Sequence, residues 1–269
     1  LVTVIDTLVE GTHFPEEISA ADLGYRVVAV NLSDIAAMGA RPLWMTLALT
    51  MPPPRSEWVD GFARGLFVAA DEHRLARVGG DTTGGSAVVA SVQITGDVPA
   101  GEALLRSGAA PGDTIYVTGT LGDAAAGLSM IGASHADEFL LGRFLRPQAR
   151  IEVGLELAGL ASACIDVSDG LVGDLRKLLD ASGAGADLNL DALPLSGEMT
   201  RAFDEEVGRR FAATGGDDYE LCFTSSRPLP AGLAGVPVTA IGTVNEGSEL
   251  VCRSAGAVVE VDDSGYRHF

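Results

Sequence analysis

The feature that most restricts this chain is a recurrence of aspartates where apolar runs give way to turns or helix starts. The most conspicuous case is Arg77-Val78-Gly79-Gly80-Asp81-Thr82-Thr83-Gly84-Gly85, which reads as a strand end running into a glycine-rich turn. Glycine lets the backbone approach a ligand closely or take positive φ. A carboxylate held in such a turn suits a hard cation such as Mg²⁺, which takes oxygen ligands. Taken alone, the stretch is equally explained by Asp and Thr stabilising a tight turn. Asp6, however, ends the run Val2-Thr3-Val4-Ile5, and Asp34 closes Asn31-Leu32-Ser33. Asp166 and Asp169 frame Val167-Ser168, and Asp217 and Asp218 follow Gly215-Gly216. In α/β proteins ligands collect at the carboxyl ends of strands, and these aspartates occupy such places.

Lys177 is the only lysine, and no glycine loop precedes it, so a P-loop is excluded. Phosphate handled here has to be neutralised by metal ions, arginine and backbone N–H groups. The net charge of −19 argues against nucleic-acid binding and against docking on an anionic membrane. Cys164, Cys222 and Cys252 form no CxxC pair and read as buried thiols of a reducing, cytoplasmic compartment. No apolar run approaches the ~20 residues of a membrane span, and no signal peptide is visible. The chain opens inside an apparent strand, which suggests that an N-terminal segment is missing.

Apolar periodicity predicts strands over 2–9, 43–50, 75–78 and 87–95, with helices over 20–38 and 56–73. Ser19 is the expected cap of the first helix and Gly39 its stop. The Pro- and Gly-bearing stretch 97–113 divides the chain into residues 1–108 and 109–269. The second part is expected to hold strands at 114–118 and 162–167 and near 185–190, 219–224, 238–243, 249–252 and 257–261. Helices are expected after Asp123, over 136–145 and 148–160, and from Asp169 to about 181. Asp169 reads equally well as a helix cap and Tyr266 as a core residue, while a structural loop role is the lesser reading for His13. Asp218 and Glu220 read as solvated or strand-edge charges, and Ala37 and Met38 as packing.

These motifs together resemble the thiamine-monophosphate kinase family, within the ATP-binding superfamily that includes aminoimidazole ribonucleotide synthetase. The matching stretches are Asp6-Thr7-Leu8-Val9-Glu10-Gly11-Thr12-His13-Phe14, Asn31 to Ala40, Gly79-Gly80-Asp81-Thr82-Thr83, Arg106 to Asp113, Asp166 to Gly170, Gly215 to Leu221 and Gly265-Tyr266-Arg267-His268-Phe269. They follow one another in the family's order across nearly the whole chain. The resemblance implies two α/β domains with some α+β character, an N-terminal sheet domain used for dimerisation and a C-terminal mixed-sheet domain. It implies ATP-dependent phosphorylation of thiamine monophosphate to thiamine diphosphate by a homodimer with several Mg²⁺ ions. Asp6, Asp34, Asp81, Asp166 and Asp169 would be metal ligands, with Asp81 and Asp169 central to catalysis. Gly80, Asp81, Arg106 and Ser168 would contact ATP; His13, Asp217 and Tyr266 would contact the thiamine phosphate. Two departures stand out. Val4 and Ile5 occupy positions where the family carries small hydroxyl residues, so ligation there would fall to backbone carbonyls. The family's upstream Gly-Asp-Asp motif is absent.

The chemistry suits these residues. A phosphate-monoester acceptor is largely dianionic at pH 7, since its second pKa is about 6, so no general base is needed. The obstacle is repulsion, about 4 kcal/mol per pair of unit charges at 4 Å and an effective dielectric of 20. Divalent ions held by clustered carboxylates offset it. The alternatives are a sister enzyme of the superfamily, making aminoimidazole ribonucleotide or selenophosphate, and a non-catalytic metal- or nucleotide-binding homologue.

Overall fold

Ser19 starts the helix on which the first half is built. Its hydroxyl accepts from the Asp22 N–H at 3.0 Å and donates to the Asp22 carboxylate at 2.7 Å. A computed structural model describes residues 1–53 and 55–261 of the chain. In it, strand β1 (Val2–Val9) leads to helix α1 (Ala20–Ala37), β2 (Arg41–Met51), α2 (Ser56–Glu72), β3 (Ala76–Gly84) and β4 (Val89–Asp97). α1 stops where Gly39 takes φ 64°. The strands form a four-stranded sheet in the order β1-β4-β2-β3, with β2 and β3 parallel and the other pairs antiparallel. Val92 and Ile94 of β4 and Val28 and Leu32 of α1 are fully buried between sheet and helices.

The reading of 79–83 as a turn is corrected by the structure. Gly79, Gly80, Asp81, Thr82 and Thr83 lie inside β3, paired along β2 from Thr46 to Thr50. The hydrogen-bonding edge of β2 overrides the local turn preference of Gly and Asp. Gly80 also lets the two strands approach, since a Cβ there would meet the Leu47 carbonyl oxygen at 2.1 Å.

The second half runs β5 (Thr114–Thr118), α3 (Asp123–Ser129), α4 (Glu138–Leu145), α5 (Ile151–Leu157), β6 (Ala163–Asp166), α6 (Leu171–Ser182) and β7 (Gly185–Asn189). It continues with α7 (Gly197–Ala202), α8 (Glu205–Thr214), β8 (Leu221–Ser225), β9 (Gly232–Leu233), β10 (Val236–Asn245), β11 (Leu250–Ser254) and β12 (Ala257–Val259). Its mixed sheet has the order β12-β11-β7-β10-β5-β8-β6, with β9 paired to β10. The expected α/β class with two sheets is therefore observed. α7, α8 and the short β9 were not anticipated. A continuous apolar core links the halves, from α1 and its sheet through α5 to Tyr116 and Phe223 on β5 and β8. All three cysteines are buried and none is in a disulfide. No helix among the described residues is long and apolar enough to cross a membrane.

The expectation that Asp218 and Glu220 are solvated is overturned. Asp218 is 1% exposed and Glu220 is 0% exposed. Asp218 accepts from the Gly122 N–H at 2.6 Å and so holds the start of α3. Glu220 accepts from Arg143 at 2.8 Å, from Arg150 at 2.5 Å and from Thr118 at 2.6 Å.

Candidate active site

β1 is an edge strand, and its unpaired backbone edge faces the cleft between the two halves. The Asp6 N–H is spent on the Asn31 side chain of α1, at 2.9 Å, rather than on β4. Hydrogen-bonding direction alternates along an antiparallel strand, so the Val4 carbonyl, two residues earlier, is also directed off that edge. α1 brings Asp34 down beside Asp6, and the end of β6 brings Asp166 from the other half. Ser33 of α1 donates to the Asp166 carboxylate at 2.8 Å, joining the halves at the site.

The turn after β6 is held open by its own packing. Gly170 takes φ 109°, and a Cβ there would meet the Thr214 carbonyl oxygen at 2.6 Å. Asp174, buried on α6, accepts from the N–H groups of Ser168 and Asp169 at 2.9 Å each. Lys177, one turn further along α6, donates to Asp169 at 2.5 Å and to Asp174 at 2.9 Å. The lysine that forms no P-loop is thus still part of the cleft. The Asp217 N–H is bonded to the Ser168 carbonyl at 2.9 Å, which ties the Gly-Gly-Asp-Asp stretch to the same turn.

Burial and mutual repulsion set the protonation of this floor. Burial, then the charges of Asp166 and Asp6, push the Asp34 carboxyl up to about 8, with Arg106 pulling the other way. Burial raises Asp166 to about 7 against its hydrogen bond from Ser33, with Asp174 and Asp6 adding to the rise. Asp6 is raised by burial and by the Asp169 charge, and a hydrogen bond with Asp34 partly offsets this. Carboxylates crowded this way give the floor a negative potential that attracts cations. Among the described residues no three His, Cys, Asp or Glu side chains are gathered tightly enough to hold an ion by themselves.

Two cavities open on this floor. The larger, about 1110 Å³, reaches from Asp6 and Asp34 past His13 and Lys177 to Asp217 and Tyr219. The smaller, about 480 Å³, is bounded by Met38, Leu104, Leu105 and Arg106. Asp34, Arg106 and Asp166 line both. The His13 Nδ1 accepts from the Val9 N–H at 3.0 Å, which fixes the ring at the cavity wall.

Of the residues singled out in the sequence, Asp6, Asp34, Asp166, Ser168, Asp169, Arg106, His13 and Asp217 are brought together around the cleft. Gly80 and Asp81 are not. They lie on β3, the far edge strand of the four-stranded sheet, and both are exposed. Tyr266 lies outside the described residues. Sequence reasoning missed Arg26, Tyr219, Asp174 and Lys177. Arg26 carried a signal, being a charge inside the apolar run from Leu23 to Val30 of a helix.

Comparison with known proteins gives a consistent result. Residues 1–98 match the family model for the N-terminal domain of AIR synthase related proteins, and residues 110–254 match the C-terminal one. The chain is 46% identical to the thiamine-monophosphate kinase of Salmonella typhimurium, over 98% of this chain and 85% of that protein. The crystal structure of the thiamine-monophosphate kinase of Stenotrophomonas maltophilia has a TM-score of 0.86 at 40% identity, covering 96% of this chain and 86% of that one. A structure described as AaThiL complexed with AMPPCP and TMP has a TM-score of 0.90 at 32% identity, covering 99% of this chain and 86% of that one.

Proposed function

The chain belongs to the thiamine-monophosphate kinase family of AIR synthase related proteins, and from that premise we propose how its residues perform the reaction. It transfers a phosphoryl group from ATP to thiamine monophosphate, giving thiamine diphosphate and ADP. The observation that carries the mechanism is the acidic floor shared by two cavities. Ligands entering the two cavities meet at Asp34, Asp166 and Arg106, so donor and acceptor phosphates come face to face there. The larger cavity takes thiamine monophosphate, between His13 and Asp217. The smaller takes the nucleotide end, its phosphates reaching Arg106, which lines both cavities, and Ser168 on the wall of the larger. Tyr266 is retained as a further acceptor contact.

The acceptor phosphate is its own nucleophile, and in-line positioning is the task left to the protein. Asp6, Asp34, Asp166 and Asp169 would hold Mg²⁺, with the Val4 carbonyl directed to the same side. Bound there, the ions neutralise the converging phosphates and the developing charge. Lys177, which holds Asp169 at 2.5 Å, keeps that carboxylate in place at the cavity wall.

Gly80 and Asp81, assigned to ATP and metal, are supplied by a second copy of the chain. The sheet face away from α1 and α2 supports this reading. It carries a ladder of hydroxyls and amide, Thr3 to Thr95 at 3.2 Å, Thr7 to Ser91 at 2.7 Å and Thr50 to Thr83 at 3.0 Å, beside an Ile5 that is 66% exposed. A second sheet packed on it gives the homodimer and brings the partner's β3 toward the cleft. We place the division between the halves at 108/109 and the enzyme in the cytoplasm, where its thiols stay reduced.

Product analysis tests the reading. ATP, Mg²⁺ and thiamine monophosphate should give thiamine diphosphate and ADP in equal amounts, and EDTA should abolish both. Nucleotide binding without thiamine diphosphate would favour a non-catalytic homologue instead.

A further inference from the structure

Arg26 is a guanidinium placed where stability alone would not put one. It sits on α1, 1% exposed, surrounded by apolar helix and core. Burying an ion this deeply is unfavourable unless it is fully paired. Its pairing is incomplete, for Nε has no partner. The other nitrogens cross to the second half of the molecule, where Nη1 donates to the Phe144 carbonyl and Nη2 to Oδ1 of Asp217. The Phe144 ring lies under the guanidinium at 4.2 Å, and the Tyr219 ring is 5.8 Å away.

The same carboxylate oxygen is held from the other side. The Tyr219 hydroxyl donates to Asp217 Oδ1 at 3.1 Å. Asp217 and Tyr219 both have positive φ, 70° and 53°, which non-glycine residues rarely take. Their N–H groups are bonded to the carbonyls of Ser168 and Val167 at 2.9 and 2.8 Å, so the loop is fastened to the turn that carries Asp169. Among the described residues only Oδ1 of Asp217 is engaged, while the residue lines the larger cavity.

We propose that Arg26, with Tyr219, is a positioning residue for the acceptor. By clamping Oδ1 of Asp217 the pair leaves Oδ2 as a fixed anionic acceptor in the cavity, for an N–H donor or cationic ring of the phosphorylated substrate. The proposal rests on the reading of Asp217 as an acceptor contact. A purely structural alternative exists, since Arg26 also ties the two halves together. A control for that role is present in the same pair of elements. Arg146, at the end of α4, donates to Asp22 of α1 at 2.6 Å and lies away from the cavity.

Steady-state kinetics with both substrates varied separates these readings. Arg26→Gln should raise KM for thiamine monophosphate by about tenfold or more, leave KM for ATP unchanged and alter kcat by less than about threefold. Arg26→Lys, which keeps a cation within reach of Oδ1, should recover most of the loss. Arg146→Gln should leave both KM values alone. Asp217→Asn should raise KM for thiamine monophosphate, and combining it with Arg26→Gln should add little. If Arg26→Gln raises both KM values together, or only lowers thermal stability, Arg26 is an interdomain tie and the proposal falls. If Asp217→Asn leaves KM unchanged, the acceptor role of Asp217 itself is wrong and the proposal falls with it. Should Arg26→Gln fail to fold, Tyr219→Phe carries the test: KM for thiamine monophosphate up by about threefold supports the clamp, and an unchanged value overturns it.

Discussion

Asp6 and Asp81 lie one register row apart in the same sheet, yet on opposite edges and opposite faces. Asp6 is level with Val92, Leu47 and Gly80 across the four strands, and Asp81 with Ala48, Ser91 and Thr7. Side chains alternate between faces along each strand, so neighbouring rows point to opposite sides. Three strand spacings separate the two residues, roughly 14 Å. Two aspartates that look equivalent in the sequence therefore face opposite sides of the sheet within one copy of the chain.

Mixing two inactive variants tests the consequence. Asp81→Asn and Asp34→Asn should each abolish turnover while leaving the fold intact. If Asp81 acts in the partner's cleft, denaturing and refolding the two together gives hybrid dimers with one intact site each, and roughly a quarter of wild-type activity returns. An inactive mixture that is nevertheless dimeric by light scattering would mean that Asp81 serves its own protomer.

The acidic floor makes the metal-free protein less stable than it could be. Burial first, and then the charges of Asp166 and Asp6, push Asp34 up to about 8, so its charged form is disfavoured without a cation. Mg²⁺ should therefore raise the melting temperature by several degrees, through binding to the folded state alone. Asp34→Asn should stabilise the metal-free protein by about 0.5–2 kcal/mol while losing turnover, the usual exchange of stability for function. Thermal scans with and without Mg²⁺ check both; an unchanged melting temperature with saturating Mg²⁺ would contradict a cation site here.

α1 delivers Asn31, Ser33 and Asp34 to the cleft because α2 packs against it backbone to backbone. A Cβ on Gly24 would meet the Phe62 carbonyl oxygen at 2.0 Å, and one on Gly65 the Ala21 carbonyl oxygen at 1.8 Å. Either Gly→Ala change has to push the helices apart. The expected cost is about 1–3 kcal/mol in urea denaturation, well beyond the small gain from helix propensity. An unchanged or raised unfolding midpoint would show that the helices can separate without cost.

What was legible in the sequence was local, and what was missed depended on distant partners. α1 could be read from Ser19, its apolar stripe and Gly39, and β1, β2 and β5 from their β-branched and apolar runs. β3 was misread because Gly79, Gly80 and Asp81 carry turn preferences that a neighbouring strand overrules. Asp204, followed by Glu205 and Glu206, caps and opens α8 in the manner of a helix start and was overlooked. The cleft aspartates stood out as charges set among apolar residues, although Asp6 lies inside β1 and Asp34 inside α1 rather than at the turns or helix starts expected of them. The partners of Glu220 lie 70 and 77 residues away in Arg150 and Arg143, and nothing near Glu220 announces its burial.

Glu220 carries the last prediction. Burial by itself would raise its carboxyl, but the hydrogen bonds from Arg150, the charges of Arg143 and Arg150 and the Thr118 hydroxyl outweigh it and hold the group below its ordinary value of 4.5. A folded value below the unfolded one means that the stabilisation is full above the unfolded pKa and is lost as pH falls through the folded one. At pH 7, Glu220→Gln leaves two arginines without their counter-charge and should cost about 3–5 kcal/mol. The gap between wild type and variant should narrow as pH falls below the ordinary glutamate value of 4.5 and close once pH has passed the lowered folded value, where wild-type Glu220 protonates too. Urea denaturation of both proteins at pH 7 and across the acid range measures this directly. A gap that stays constant to acid pH would mean that the shape of the side chain, rather than its charge, holds Arg143 and Arg150 in place.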